Sequence, residues 1–194
     1  MNSRILTIWL LSLFLLSACT AGVDFVKPSD DKLVLGSTSR HSILKLLGDP
    51  TTKDIKTSNG ENVISYTYAY ANVVAEPMFQ DVTPSRVLTL YFYNNILVGK
   101  TYTSSFKSDN TYFNTEKAKS IVQGMTKQQV LNLLGKSTGE YKFPMIADKT
   151  GKALVYTFAQ SKGSRTLENS LVVAIDGKDI VQNADFNKFD NAAR

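Results

Sequence analysis

The chain carries SRHSILKLLG at Ser39–Gly48, and a matching segment returns further along as TKQQVLNLLG at Thr126–Gly135. Each copy begins with a hydroxyl residue that can cap a helix, places its apolar residues on one helical face, and ends with glycine. A second pair of matching segments follows, SYTYA at 65–69 and VYTFA at 155–159. A repeat that includes both a helix and a strand predicts two copies of one small α+β unit.

Each unit is predicted to contain two short helices packed on an antiparallel meander of three or four strands. Alternation along 63–73 places large side chains on one face, and we expect the helices to cover the face of Tyr66, Leu90 and Phe92. The other face is expected to stay open. The predicted segments are a lipoprotein signal peptide (1–18), a lipidated N-terminus and tether (19–32), a first repeat (33–107), a second repeat (114–184) and a C-terminal tail (185–194).

The first residues have the pattern of an export signal. Arg4 is the only charged residue before Cys19, and the apolar stretch 5–16 is shorter than the roughly 20 residues that a membrane-spanning helix needs. The segment LSAC that ends at Cys19 resembles a bacterial lipobox, whose cysteine receives lipid. Cys19 is also the only cysteine in the chain, so no disulfide can form within it. An ordinary signal with an incidental cysteine is the alternative.

The residue after the cysteine bears on localisation. Thr20 stands where an aspartate would resemble the inner-membrane retention signal. By that resemblance, we expect the protein to be lipid-anchored at the periplasmic face of the outer membrane of a Gram-negative bacterium. Several acyl chains on one residue would give stable anchoring.

Composition favours a globular binding protein over a nucleic-acid-binding one. The chain has 194 residues, 43% of them hydrophobic and 20% charged, and a formal net charge of +5. The basic excess lies in the second half and is a mild bias toward acidic partners. It is well short of the basic footprint that nucleic-acid binding requires, and export also argues against that function.

Motifs for catalysis are missing from the sequence. His41 is the only histidine, and its position in the first turn of a predicted helix is typical of a surface residue. No set of His, Cys, Asp and Glu has the spacing of a metal site. The sequence has no Gly-x-Ser-x-Gly elbow and no glycine-rich phosphate loop. We therefore predict no catalytic residues, no metal, no cofactor and no enzymatic activity.

Aromatic and apolar residues expected at the surface are the stronger functional signal. Tyr91 and Tyr93 should point away from the helices, where they would contact a partner or, alternatively, pack against the other unit. Two long loops, 76–80 and 142–146, also contain apolar residues, which either bind a partner or fold back onto their own core. The predicted protein-binding candidates are Tyr91, Tyr93, Met78, Phe79, Phe143 and Met145.

The segment GMTKQQVLNLLG (124–135), followed by YTF (156–158), resembles the SmpA/OmlA family of small outer-membrane lipoproteins. That family is best known from BamE of the β-barrel assembly machinery. This chain departs from it by carrying two copies, of which the first begins GSTS (36–39) instead of Gly-Met-Thr. The second copy lacks the typical proline after its terminal glycine. Two such BamE-like units in tandem resemble the architecture of the β-lactamase inhibitory protein (BLIP).

The resemblance and the lipobox together imply a lipid-anchored, non-catalytic protein-binding module of the outer membrane. Its expected partner is an envelope protein, as an accessory or assembly factor, or the peptidoglycan layer. The alternative is a proteinaceous inhibitor of a periplasmic or foreign enzyme, with Phe79 and Phe143 entering the active site. A third interpretation is a carrier of a small molecule or lipid in the groove between the units.

Overall fold

The computed structural model of the chain describes residues 20–191. Within that range it contains three α-helices, one 3₁₀ turn at Asp30–Lys32 and a sheet of nine strands. The helices are α1 (Arg40–Leu47), α2 (Thr115–Lys119) and α3 (Lys127–Leu134). The strands are β1 (Thr20–Gly22), β2 (Thr52–Ser58), β3 (Glu61–Asn72), β4 (Ser85–Tyr93), β5 (Ile96–Ser104), β6 (Gly139–Tyr141), β7 (Lys152–Lys162), β8 (Arg165–Ile175) and β9 (Val181–Asp190).

All strand pairs are antiparallel, and the sheet runs in the order β1-β3-β4-β5-β6-β7-β8-β9. Strand β2 pairs with Glu61–Thr67 of β3, and β1 pairs with Tyr70–Asn72 farther along the same strand. At the opposite edge, β9 continues to Asp190, into the segment predicted as a C-terminal tail.

The predicted fold class, two tandem BamE/BLIP-like repeats of two helices on a small meander, is wrong. One continuous sheet passes through both halves of the chain, and few residues are helical. The halves merge because β6 pairs with β5 through Gly99–Thr101 and with β7 through Ala153–Val155. The first half also has only a 3₁₀ turn where a helix was expected.

Helices α1 and α3 begin and end at the residues that mark the repeated segment. The Ser39 hydroxyl accepts a hydrogen bond from the Ser42 amide at 3.1 Å. At α3 the cap is reciprocal, since Thr126 accepts from the Gln129 amide at 3.2 Å and the Gln129 side chain accepts from the Thr126 amide at 2.8 Å. The two helices end at Gly48 and Gly135. Both glycines have a positive φ, a backbone conformation that residues with a side chain disfavour.

Two hydrophobic clusters lie on the helix side of the sheet. The first joins Ile43 of α1 to strand residues that include Tyr66, Leu90 and Phe92, so the predicted inward face is the buried one. The second joins Val130 of α3 and residues near α2 to the large side chains of β7 and β8. Tyr68 donates a hydrogen bond to the Gly48 carbonyl at 3.0 Å, and Tyr156 donates to the Gly135 carbonyl at 2.9 Å. Each helix end is thereby fixed to a strand.

The segment predicted as a tether lies against the sheet in this structure. The Phe25 ring packs on Tyr68 at 6.3 Å, and the Phe25 carbonyl accepts a hydrogen bond from Arg86 at 3.0 Å. Leu33, which follows the 3₁₀ turn, is fully buried in the first cluster. Residues 23–33 therefore complete the first core.

The predicted signal peptide and Cys19 lie outside the described residues. Within residues 20–191, no helix is both long enough and apolar enough to cross a membrane.

Candidate binding surface on the open face of the sheet

A notch opens in the middle of the sheet because β6 is much shorter than its neighbours. Strand β6 has three residues, whereas β5 has nine and β7 has eleven. Beyond Gly139, β5 and β7 therefore face each other without a full strand between them. The Tyr102 amide still reaches the Thr138 carbonyl at 3.0 Å, which extends the pairing by one residue.

Threonine side chains close this notch. The hydroxyls of Thr103 and Thr157 lie 2.7 Å apart, and the Thr157 hydroxyl also donates to the Tyr102 carbonyl at 3.1 Å. The Thr138 hydroxyl accepts a hydrogen bond from the Thr157 amide at 3.1 Å. Backbone groups that β6 would have paired are thus satisfied by hydroxyls, as buried polar groups require.

The face opposite the helices carries a groove of about 310 Å³ centred on this notch. It crosses from β4 to β8, and its lining is rich in short hydroxyl side chains. Val155 and Thr157, both nearly inaccessible to solvent, form its floor. Glu168 is the only charged side chain among its lining residues. The hydroxyl residues that line it are Thr89, Thr101, Thr103, Thr157 and Ser170.

Two tyrosines close one end of the groove. The rings of Tyr91 and Tyr141 meet edge to face at 5.6 Å, and Lys56 places its ammonium 4.2 Å from the centre of the Tyr91 ring. Burial raises the pKa of both phenols, and the Glu168 carboxylate adds to the effect on each.

The structure brings together four of the six predicted binding residues at this end. Tyr93 packs edge to face on Phe143 at 6.2 Å, and Met145 lies over Gly99 beside Tyr91. The Pro144 carbonyl accepts hydrogen bonds from Ser58 and Asn59, each at 2.8 Å, so the turn between β2 and β3 holds this loop. Both Phe143 and Met145 are half-buried.

Met78 and Phe79 lie elsewhere. Phe79 packs on Tyr112 at 5.4 Å and on the buried Phe158 at 5.8 Å, which places it on the helix side of the sheet. The Met78 amide donates to the Ser105 carbonyl at 2.8 Å. The six predicted residues therefore do not form one surface.

Groups suited to catalysis do not converge on the groove. His41 is exposed on α1, on the other side of the sheet. Within residues 20–191, no group of three or more His, Cys, Asp and Glu side chains could hold a metal ion. The arrangement presents hydroxyls, methyl groups and two aromatic rings, which is the chemistry of a contact surface.

The sequence prediction missed the threonines and Tyr141. Strand alternation could have placed Thr101 and Thr103 on the open face, because both flank Tyr102, whose side chain is buried on the helix side. Tyr141 carried no such signal, since a three-residue strand is too short to show alternation.

Comparisons with known proteins give little further information. No protein-family model matches the chain, and no curated protein matches it. The resemblance to the SmpA/OmlA family therefore rests on the quoted motifs alone. A solved structure from Streptococcus mutans, provisionally described as a beta-lactamase inhibitor protein, is similar with a TM-score of 0.40 and 16% identity. That similarity covers 78% of this chain and 83% of the other, but at this TM-score it carries no argument about function.

Proposed function

We propose that the protein is a non-catalytic protein-binding module that contacts its partner through the groove on the open face of the sheet. The observation that carries the proposal is a concave, uncovered face floored by Val155 and Thr157 and bounded by Tyr91 and Tyr141. Tyrosines that are held by packing offer a large contact area at low entropic cost.

The groove's charge favours a protein over a nucleic acid. No lysine or arginine lines it, and Glu168 gives it a slight negative character. A phosphate backbone would need several cations at the contact. Hydroxyls interleaved with Val87, Val155 and Val172 suit a neutral or mildly basic loop of a folded partner.

The partner belongs to one of two classes. In the first, the segment that resembles a lipobox at Cys19 would anchor the module at the periplasmic face of the outer membrane, and the partner is an envelope protein that it helps to assemble. In the second, the partner is a periplasmic or foreign enzyme, which the module inhibits. The position of Phe143 and Met145 at one end of the groove supports the second class, because a loop beside a concave face is suited to entering a cleft.

Site-specific photo-cross-linking tests the proposed surface. Glu168→p-benzoylphenylalanine places the reactive group in the groove, and Gln128→p-benzoylphenylalanine places it on α3 as a control. We expect a discrete cross-linked protein from the groove position alone. Equal cross-linking from both positions, or none from Glu168, would contradict the proposal.

A blocking variant links the cross-link to the groove. Val172→Arg introduces a long charged side chain among the lining residues, whereas Val122→Arg makes the same change at a solvent-exposed site away from it. The first variant should abolish the cross-link at Glu168 and the second should preserve it. Thermal melting of both proteins confirms that they are folded.

The two partner classes predict different results when the lipid is removed. An inhibitor retains its potency against its enzyme, tested first on a serine β-lactamase, when Cys19→Ala makes the protein soluble. An envelope assembly factor binds normally in solution but loses its cellular effect in the same variant.

A further inference from the structure

A second cleft lies on the helix side of the sheet, above β5 and β6, between the N-terminal segment and the residues that follow α3. Its volume is about 400 Å³, and it is wholly separate from the groove on the open face. Five lysines line it, compared with two carboxylates, Asp30 and Glu140, and one of the lysines, Lys152, is paired with Asp179 at 3.5 Å. The lysines are Lys27, Lys100, Lys136, Lys142 and Lys152.

Different elements bring these lysines together. Lys100 projects from β5 on the same side as the cores and is only 8% exposed. Residues 23–33 cross the sheet and deliver Lys27 and Asp30, while Lys136 follows the glycine that ends α3. The lysines therefore converge because three separate parts of the chain meet here, and they are not a run of solvated side chains along one helix.

Asp30 is already fully engaged. Its two carboxylate oxygens accept hydrogen bonds from Lys100 at 3.1 Å and from Lys136 at 2.5 Å. The Lys136 hydrogen bond, followed by that of Lys100, lowers the pKa of Asp30 to about 2. Asp30 therefore stays ionised and holds two of the lysines at a fixed separation.

Lys27 is not paired with a carboxylate. Its ammonium lies 5.2 Å from the centre of the Tyr102 ring, and within residues 20–191 no carboxylate lies within ion-pair distance of it. Burial lowers the pKa of Lys27, and the charges of Lys100 and Lys136 act in the same direction, while the nearby Asp30 carboxylate offsets part of the effect. Positive charge that is partly removed from water and repelled by its neighbours is stabilised when an anion binds.

We propose that this cleft is a binding site for a small, multiply charged anion of the phosphate class. Lysine ammonium groups bind phosphate as point charges and do not require the planar fork that arginine offers to carboxylates. The Ser137 hydroxyl, which also lines the cleft, supplies a neutral donor. The phosphate belongs either to a soluble molecule or to a lipid headgroup, since both present the same oxygens.

Calorimetric titration with inorganic pyrophosphate tests the site. The full chain is kept in neutral detergent micelles, and the same titration is made with short-chain phosphatidic acid and, as a zwitterionic control, phosphatidylcholine. Binding of pyrophosphate alone identifies a soluble ligand, and tighter binding of phosphatidic acid identifies a headgroup. In either case the affinity should fall as salt is added.

Matched variants show where the anion binds. Lys27→Gln and Lys142→Gln should each weaken pyrophosphate binding by roughly tenfold, the loss of one charge-assisted hydrogen bond. Lys119→Gln removes one charge from exposed α2 and should change little. Asp30→Asn should instead tighten binding, because it frees Lys100 and Lys136 from their carboxylate.

Three outcomes would overturn the proposal. The first is no binding of either phosphate probe at millimolar concentration. The second is equal weakening by Lys27→Gln and Lys119→Gln, which would indicate a general effect of net charge. The third is binding of an acidic peptide in place of both phosphates, which would assign the cleft to a protein partner. Thermal melting without ligand identifies any variant that fails to fold.

Discussion

The two halves of the sheet hold their main helices in the same way but fill the neighbouring space differently. Each main helix has one fully buried residue, Ile43 in α1 and Val130 in α3. A strand tyrosine then binds the carbonyl of the glycine that ends the helix. Beside α1, the space is filled by Leu33 and by Phe25, from the N-terminal segment. Beside α3, it is filled by Phe113, Ala118 and Ile121, which belong to or flank α2.

This difference shows which part of the repeated pattern is structurally essential. The linkage from helix to glycine to strand tyrosine is present in both halves, although its tyrosines, Tyr68 and Tyr156, do not match each other in the repeated segments 65–69 and 155–159. The second layer is replaceable, because any chain segment that delivers buried apolar surface can complete the core. In the first half, that segment is the stretch leading away from the predicted anchor, so part of the expected tether contributes to stability.

The largest expected effect tests whether the halves unfold together. Leu88→Ala and Leu171→Ala truncate equivalent, fully buried leucines of β4 and β8, and each should lower the free energy of unfolding by about 2–5 kcal/mol. Because one sheet joins the halves, both variants should unfold in a single transition in calorimetry and circular dichroism. Two resolved transitions, with only one shifted by each variant, would show independent halves.

The helix caps should give a smaller and unequal effect. Thr126→Ala removes a reciprocal cap and Ser39→Ala a one-way cap, each at a cost of about 1 kcal/mol. We expect the loss to be larger for Thr126→Ala, because the Gln129 side chain also loses its fixed position. Urea denaturation measures both values, and Ser164→Ala, in the exposed turn between β7 and β8, serves as a baseline. A larger loss for Ser39→Ala would contradict this ranking.

The helix-to-tyrosine linkage that both halves share is tested by Tyr68→Phe and Tyr156→Phe. Each removes only the hydroxyl that binds a helix-ending carbonyl, so each should cost about 0.5–1.5 kcal/mol at neutral pH. The two values should agree closely, because the hydrogen bonds measure 3.0 and 2.9 Å. The two losses are compared through the denaturant midpoints of the variants, provided that the dependence of the free energy of unfolding on denaturant is unchanged. A negligible loss in only one half would show that the shared geometry has unequal roles.

At alkaline pH, the difference in free energy of unfolding between these variants and the wild-type protein should become smaller. Burial raises the pKa of Tyr68 and of Tyr156 to about 12, compared with about 10 in an unfolded chain. The folded state therefore retains protons that the unfolded state loses between pH 10 and 12, so stability falls as pH rises through this window. The double variant Tyr68→Phe/Tyr156→Phe lacks these two phenols, so its free energy of unfolding should fall less steeply with pH over this window. Parallel curves for the double variant and the wild type would contradict the expectation.

The parts of the fold with strong local signals were predictable from the sequence. The caps and terminal glycines of α1 and α3 mark their ends, and alternation identifies the buried face of β3 and β4. The continuous sheet was not predictable, because it depends on β6, whose three residues show no periodicity. Strand β2 was missed for a related reason, since TKDIKTS is mostly polar and lies exposed at an edge.

The candidate binding sites were only partly predictable. Tyr91 and Tyr93 follow from alternation, and the structure places Phe143 beside Tyr93, although their binding role stays a prediction. The lysine cleft arises from contacts between distant parts of the chain and has no local pattern. Lys100 was nevertheless a possible clue, because a charged residue at an inward-facing strand position must find a partner, here Asp30.

Strand β1 has a mechanical consequence. It joins the sheet at its outer edge through three residue pairs, next to the N-terminal end of the described chain. A pulling force applied at that end would load these pairs first and peel them one after another. The force would next reach the packed Phe25 and the buried Leu33. The groove begins on β4, with β3 between it and β1, so the strands that line it would stay paired while this edge yields.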